Sequence, residues 1–334
     1  MNDEEREKFW KTLCSLKGVD IPEDEKILTE TIIYPSKIYR YRPASKRTLD
    51  ALKNNELFFS TSNYYDDPFD TFINVRIKDI RETLDKISNA NTEELERVVS
   101  MIVNEMEESD VELSKIVEQF KKAAGNSDFE NSLERFFRNI RNEIKKDTFS
   151  ICFTESPFNE SLWLKYAEQH KGFVLEYDLS DAGKLLCGKR EECGGCYINK
   201  CAKPLYPVYY SEKTYDATMF AQFIALCKIG TVNYNENKLA QYYMSKFGNP
   251  IWEREKITLI KKKCHKYDQE WRMILSQPMS QPVSIKWIPS AIYLGLNMDS
   301  QDMDLVMTIA KIAGVDKIYK CHITDDGQLN AILL

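Results

Sequence analysis

The chain has 334 residues, 43% of them hydrophobic and 29% charged, which is the composition of a globular protein rather than a disordered one. A formal net charge of −6 argues against a broad basic surface for nucleic acid or anionic lipid. The sequence contains no apolar run of the roughly 18 residues that a membrane-spanning helix needs, and its acidic start lacks the features of a secretory signal. We therefore expect a cytoplasmic protein with no membrane partner.

The first part of the chain predicts a helix, a strand, a second helix and a second strand. In the first strand Arg40 and Arg42 fall on one face, and the tyrosines between and before them fall on the other. A polar stretch follows the second strand and has the composition of a loop. These four elements are predicted over residues 4–17, 37–42, 47–55 and 56–60.

The stretch 76–147 predicts a helical insertion. It is highly charged and has no proline, and three times an N-cap residue stands three positions before a glutamate, at Asn91, Ser109 and Ser127. Apolar residues then recur at steps of three and four, which predicts helices that pack beside the core.

The second half of the chain mixes strands with separate helices. Because these elements do not alternate regularly, we expect a single α+β domain over residues 1–334 with a mixed or antiparallel β core. Strands are predicted over 148–153, 172–177, 206–210, 267–275, 291–295 and 317–323. Helices are predicted over 160–170, 217–264 and 302–313.

Four of the nine cysteines fall within residues 187–201. They are Cys187, Cys193, Cys196 and Cys201. Two of them form a Cys-x-x-Cys with two glycines between, which permits the tight turn that a tetrahedral zinc site needs. The spacing is compatible with a structural zinc ion and equally with a cysteine-rich loop that holds no metal.

The segment 267–274 is the most informative for chemistry. Read as a strand, it places Asp268, Glu270 and Arg272 on one face and aromatic or apolar residues on the other. The charged face then lines a cleft or forms ion pairs at the surface. The nearby run 261–263 of three lysines is interpreted as a solvated helix end.

Several motifs together resemble a bacterial family known as domain of unknown function 2971. The resemblance spans about residues 37–296, with the helical insertion and the cysteine loop as local additions. The motifs that carry it are Tyr39-Arg40-Tyr41, Phe59-Ser60, Asp66-Asp67-Pro68-Phe69-Asp70, Trp163 with Tyr166-Ala167, His170-Lys171-Gly172 and Glu270-Trp271-Arg272.

The order of these motifs is also similar to that of ADP-ribosyltransferases, which implies a split β core and NAD as substrate. In that resemblance Glu270 stabilises the positive charge on the ribose, Asp268 guides the acceptor, and Arg40 binds the pyrophosphate. Ser60 and Ser62 brace Glu270, while Tyr64, Tyr65 or Trp163 stacks on nicotinamide. The remaining residues assigned to NAD binding are Tyr41, Thr61, Asp67, Tyr166, His170 and Arg272.

Two further hypotheses remain open. Asp67, Asp70 and Glu270 could instead hold a metal ion for phosphodiester hydrolysis. Alternatively, the chain is a non-enzymatic module that recruits a protein partner through the helical insertion or the cysteine loop. By analogy with other small NAD-consuming enzymes, the first hypothesis implies a bacterial toxin or phage-defence effector with an unidentified acceptor.

Overall fold

The three-dimensional structure is a computed structural model, and it describes most of the chain. The described residues are 1–65, 67–105, 117–118, 121–122, 127–179, 186–187, 205–229, 238–275 and 284–334. Within them no helix is both long and apolar enough to cross a membrane.

Helices flank a β core on several sides, and short 3₁₀ helices occur at 62–64, 250–252 and 263–268. The α-helices, in chain order, are α1 (Asp3–Ser15), α2 (Ile21–Glu30), α3 (Lys46–Lys53), α4 (Ile77–Asn89), α5 (Thr92–Glu105), α6 (Ser127–Lys146), α7 (Glu160–Tyr166), α8 (Thr218–Ile229), α9 (Lys238–Phe247), α10 (Glu253–Thr258) and α11 (Ser300–Ile312).

The strands are mostly short, and the central ones are buried on both faces. They are β1 (Lys37–Arg42), β2 (Glu56–Phe58), β3 (Ser60–Thr61), β4 (Phe149–Thr154), β5 (Phe173–Asp178), β6 (Leu186–Cys187), β7 (Leu205–Pro207), β8 (Tyr209–Ser211), β9 (Ile260–Lys262), β10 (Glu270–Leu275), β11 (Ser284–Lys286), β12 (Ala291–Leu294), β13 (Ile318–Ile323) and β14 (Leu329–Leu333).

The main sheet is mixed. Its order is β14-β13-β12-β5-β1-β4-β10-β7, and β3 adds to it beside β4. All of these pairs are antiparallel except β12 with β13. In the described part of the chain, β2, β11 and β6 form a second sheet, and β8 and β9 pair in parallel. The predicted α+β class with a mixed β core is therefore confirmed.

The core consists of three clusters of buried side chains. The largest lies between the main sheet and helices α1 and α11 and includes Phe9, Ile151 and Trp271, each fully buried. A second cluster joins Ile140 of α6 to Phe220 of α8. The helical insertion thus packs against the rest of the protein through an apolar face, as its spacing predicts.

Three element predictions were wrong. The polar segment after the first helix contains α2, whose start carries a capping side chain from Asp20 and a proline in the first turn. The stretch 217–264 is not one helical region, because β9 follows α10 and pairs with β8. The predicted strand 267–275 begins only at Glu270, since Gln269 adopts a left-handed conformation with φ 43° that ends the preceding 3₁₀ helix.

A candidate nucleotide pocket at a parting of the sheet

A cavity of about 250 Å³ opens where β1 separates from β4. Within the described residues these strands share one registered pair, Tyr39 with Thr154. At its other end β4 pairs instead with β3, with Ser60 opposite Ser150. Because the neighbour of β4 changes from β1 to β3 along its length, the side chains of all three strands face one opening.

One side of the cavity is formed by Arg40 and Arg42, which we call the arginine wall. Arg40 is only 8% exposed, and its Nη1 atom has no hydrogen-bond partner among the described residues. Burial lowers the pKa of Arg40, and burial together with the charge of Arg40 lowers the pKa of Arg42 to about 9. Two desolvated guanidinium groups therefore lie side by side, and a bound anion would relieve the cost of burying them.

The opposite side is formed by an ion-pair cluster built around Arg272, which is 1% exposed. Its Nη1 and Nη2 atoms donate to the two carboxylate oxygens of Asp70 at 2.8 and 2.6 Å. Its Nε atom donates to Oε1 of Glu270 at 2.7 Å. This is the forked, two-oxygen geometry that makes arginine–carboxylate pairs strong and directional.

Lys261 completes the ion-pair cluster. It is 7% exposed, and its Nζ atom lies 3.0 Å from Oε2 of Glu270 and 2.9 Å from Oδ2 of Asp268. The interpretation of residues 261–263 as a solvated helix end was wrong for this lysine, because residue 261 lies inside β9. The signal that could have revealed it is the apolar residue pair before it, Leu259-Ile260, which favours a half-buried strand.

The two oxygens of the Glu270 carboxylate are thus each held by a cation. Burial alone would raise the pKa of Glu270, but the charges of Arg272 and Lys261 outweigh burial and keep the pKa well below its usual range. Burial alone would lower the pKa of Lys261, and Glu270 and Asp70 reverse this and raise it. Both groups therefore stay ionised at neutral pH.

The cluster as a whole keeps an excess of negative charge. Asp67 lies beside it, with Oδ2 3.1 Å from Nε2 of His265. Lys261 and Arg272 pair with the carboxylates of residues 70, 268 and 270, and Lys165 also lines the cavity near Asp268. With Asp67 there are four carboxylates beside three lysine and arginine side chains, which leaves one negative charge in excess. A protonated His265 would reduce the surplus by one charge. The cavity consequently has a positive side and a negative side.

Tyrosine side chains complete the lining of the cavity. Tyr64 is 81% exposed at its mouth, and Tyr166 lies near it with the exposed Lys165 against its ring. The ring of Tyr65 lies 5.2 Å from the guanidinium carbon of Arg272, and its hydroxyl shares a hydrogen bond with Ser150. Flat aromatic surfaces beside a few charged groups are typical of small-molecule pockets.

The structure brings most of the sequence-predicted site residues to this one cavity. Those that line it are Arg40, Tyr41, Ser60, Tyr64, Tyr65, Asp67, Tyr166, Asp268 and Glu270. The others do not line it: Thr61, Ser62, Trp163, His170 and Arg272. Arg272 nevertheless positions two residues that line the cavity, Asp70 and Glu270, through hydrogen bonds to their carboxylates.

The expected stacking of Trp163 on a ligand is not possible in this arrangement. Trp163 is fully buried, its ring packs edge-on against Tyr41 and face-on against His170, and its Nε1 atom donates to the carbonyl of Pro157. Trp163 therefore supports the strand that carries Tyr41, and it has no exposed face for a ligand. His170 covers one face of Trp163.

The expected bracing of Glu270 by serines is also replaced by other contacts. Ser62 is buried and donates to the carbonyl of Thr148. Lys261 and Arg272 hold the Glu270 carboxylate instead, because a buried carboxylate is stabilised more by cations than by neutral hydroxyls.

Neither metal hypothesis gains support. In the described part of the chain, no group of three His, Cys, Asp or Glu side chains is arranged to hold a metal ion. Asp70 and Glu270 are already occupied by Arg272. Of the cysteines predicted to bind zinc, Cys193, Cys196 and Cys201 lie outside the described residues, as does the side chain of Cys187, so that site stays a prediction.

Cys152 of β4 also lines the cavity, although its sequence context gives no sign of this. Burial, with a contribution from Glu270, raises the pKa of its thiol to about 11. A neutral thiol is a poor nucleophile, so Cys152 serves as a wall of the cavity rather than as a reactive group.

A comparison with known protein families agrees with the resemblance to domain of unknown function 2971. Residues 162–273 match the sequence model of a family described as a protein of unknown function, DUF2971. The match supports that family and includes Lys261, Asp268, Glu270 and Arg272, but it begins after the strands that carry Arg40 and Ser60. No curated protein and no solved structure matches the chain.

Proposed function

We propose that the cavity binds NAD and that the protein cleaves its nicotinamide–ribose bond, as an ADP-ribosyltransferase-like enzyme. The observation that carries the proposal is the separation of charge across one cavity. NAD is itself polarised in this way, since its pyrophosphate is anionic and its nicotinamide ring is cationic. The parting of β1 from β4 also agrees with the split β core that this resemblance implies.

The arginine wall would bind the pyrophosphate. Arg40 offers a buried Nη1 atom without a partner among the described residues, and Arg42 lies two residues along the same strand. A guanidinium group offers several donors in a fixed plane, which suits phosphate oxygens. Its charge is only weakly screened here because the group is removed from water.

The ion-pair cluster would stabilise the reacting ribose. When the bond from ribose to nicotinamide breaks, its electron pair leaves with nicotinamide and positive charge develops on the sugar. Because Lys261 and Arg272 partly neutralise Glu270, this carboxylate alone would attract the positive ribose only weakly. The surplus negative charge of the whole cluster would therefore stabilise the transition state. The acceptor, either water or a macromolecular group, then forms the new bond to ribose and loses a proton, which Asp268 would accept.

Aromatic side chains would hold the nicotinamide ring. Tyr64, Tyr65 and Tyr166 lie on the side of the cavity next to the cluster, so that a stacked ring would have its ribose bond near Glu270. A toxin or phage-defence role would follow from such an activity in the cell and depends on it.

The test is nicotinamide release from NAD by the purified chain, with Glu270→Gln beside the wild type. Glu176→Gln is the matched control, because Glu176 is also buried and ion-paired, to Lys37, and lies in the same sheet but outside the cavity. We expect release by the wild type and by Glu176→Gln and its loss in Glu270→Gln. A folded wild type that neither binds NAD nor releases nicotinamide contradicts the proposal.

A further inference from the structure

A second cavity, of about 290 Å³, lies on the other side of the arginine wall. Arg40, Arg42 and Ser60 line both cavities, so they form a partition between them. The second cavity plays no part in the chemistry proposed above. Its lining combines a basic edge with an apolar floor. The basic edge favours an anionic group on a ligand, and the apolar floor favours a hydrophobic part of the same ligand.

The basic edge comes from three arginines and the beginning of a helix. Arg47 lies in the first turn of α3 and joins Arg40 and Arg42 around the cavity. That first turn contains no acidic residue. Ser45 and Thr48 form a capping box at its start, in which their hydroxyl groups bond to each other and to the backbone. The N-terminus of a helix carries partial positive charge and free N–H groups, which favour an anion.

The arginine wall, which this cavity shares with the first, also favours an anionic ligand. Arg40 is more than nine-tenths buried, and its Nη1 atom has no hydrogen-bond partner in the described part of the chain. The carboxylate that lines this cavity is that of Glu56, and Ser284 is its hydrogen-bond donor at 3.5 Å. Three arginines beside one carboxylate leave an excess of positive charge. One of them, Arg40, is buried, and buried charges are normally paired.

The floor of the cavity is apolar and aromatic. Tyr177 and Trp287 pack against each other with ring centroids 4.8 Å apart, and Leu57 and Leu175 lie beside them. With one basic edge and one apolar floor, the cavity suits a small, partly apolar molecule that carries an anionic group.

We propose that the second cavity is a binding site for a phosphate group on a small, partly apolar molecule, held by Arg42, Arg47 and the N-terminus of α3 beside Arg40. The phosphate would accept hydrogen bonds from the guanidinium groups and from the first turn of α3. The apolar part of the molecule would lie against Trp287. Arg40 and Arg42 belong to both cavities, whereas Arg47 and Trp287 line the second cavity and not the first. Arg47→Gln and Trp287→Ala therefore distinguish a phosphate bound here from one bound in the first cavity.

The experiment is calorimetric titration of the full chain with inorganic phosphate and with AMP, for the wild type, Arg42→Gln, Arg47→Gln and Lys53→Gln. Lys53→Gln is the matched control, because it removes the same charge from the far end of α3, away from the cavity. We expect both arginine variants to bind phosphate at least about tenfold more weakly and the lysine variant to bind as the wild type does. Circular dichroism of each variant checks that the fold is intact.

Tighter binding of AMP than of inorganic phosphate, lost in Trp287→Ala, would support the assignment of the apolar floor. Absence of phosphate binding by the wild type overturns the proposal. An equal loss in all three charge variants also overturns it, since it would reflect general attraction to a basic surface. Phosphate binding without any nicotinamide release would preserve this site while contradicting the proposed reaction.

Discussion

Buried charged groups are paired to different extents on the two sides of the first cavity. In the ion-pair cluster Glu270 and Arg272 hold several partners each, and Arg272 alone donates to two carboxylates and to the carbonyl of Thr258. In the arginine wall, by contrast, Arg40 keeps a buried donor without a partner among the described residues. The contacts within the ion-pair cluster thus stabilise the fold, whereas the arginine wall has a donor left to bind an anionic ligand.

Burial of charge therefore has different consequences in the ion-pair cluster and in the arginine wall. Breaking a completed network leaves uncompensated charges and destabilises the fold. Removing an unpartnered charge costs little stability and instead removes the attraction for an anion. Substitutions on the two sides should therefore separate stability from ligand binding.

The largest effect on stability is expected for Arg272→Met. The substitution leaves the buried carboxylates of Asp70 and Glu270 without their main partner, so we expect the free energy of unfolding to fall by about 3–5 kcal/mol. Chemical denaturation at neutral pH measures it. Lys263→Met, at an exposed lysine, is the control and should change little. A loss below about 1 kcal/mol for Arg272→Met would mean that the cluster does not support the fold.

A smaller, pH-dependent loss is expected for Glu270→Gln. The amide can still accept hydrogen bonds but has no charge, so we expect the free energy of unfolding to fall by about 1.5–3 kcal/mol at pH 7. The pKa of Glu270 is lower in the folded protein than in the unfolded chain. Its contribution is therefore fully present above the unfolded pKa of about 4.5 and is lost as the pH falls towards the folded pKa.

Denaturation of the wild type and Glu270→Gln at several pH values checks this sign. The difference in the free energy of unfolding should be constant above about pH 6 and should shrink in acid. A difference that grows as the pH falls would contradict the assignment of Glu270 as a carboxylate stabilised by Lys261 and Arg272.

On the other side of the cavity, Arg40→Met should leave stability unchanged or raise it by about 1 kcal/mol. The methionine removes a desolvated charge and can pack its apolar chain against Phe153, whose ring centre lies 5.9 Å from the guanidinium carbon. The same variant should bind NAD at least about tenfold more weakly. Thermal denaturation and calorimetry measure the two quantities. A destabilisation like that of Arg272→Met would remove the distinction between the two sides.

The smallest effect is expected for Tyr64→Ala. This side chain is exposed, so the free energy of unfolding should change by less than about 0.5 kcal/mol. If Tyr64 stacks on the ligand, binding of NAD should weaken by about 0.5–1.5 kcal/mol. Tyr267→Ala is a matched control, since Tyr267 is a similarly exposed tyrosine that does not line this cavity. Equal binding by Tyr64→Ala and the wild type would exclude the stacking role.

Much of the fold could be predicted from local patterns. The alternation in Lys37–Arg42 and the helical spacing over 302–313 led directly to β1 and α11, since such periodicities reflect which face of an element is buried. The strands β9, β11 and β14 escaped prediction because they have three to five residues each and contain too few positions to show a period. Helix α2 was not predicted, although Asp20 in the sequence is a typical N-cap residue at its start.

The candidate site shows the same division between what the sequence determined and what only tertiary structure decided. The sequence by itself marked Arg40, Asp268, Glu270 and Arg272 as charged residues on strands with one apolar face. It could not show that Lys261 completes the cluster, nor that Asp70 pairs with an arginine 202 positions away. Ion pairs between distant residues depend on the order of strands in the sheet, and local sequence does not encode that order. For the same reason, only the tertiary structure decided that Asp70 and Glu270 pair with Arg272, while one donor of Arg40 has no partner among the described residues.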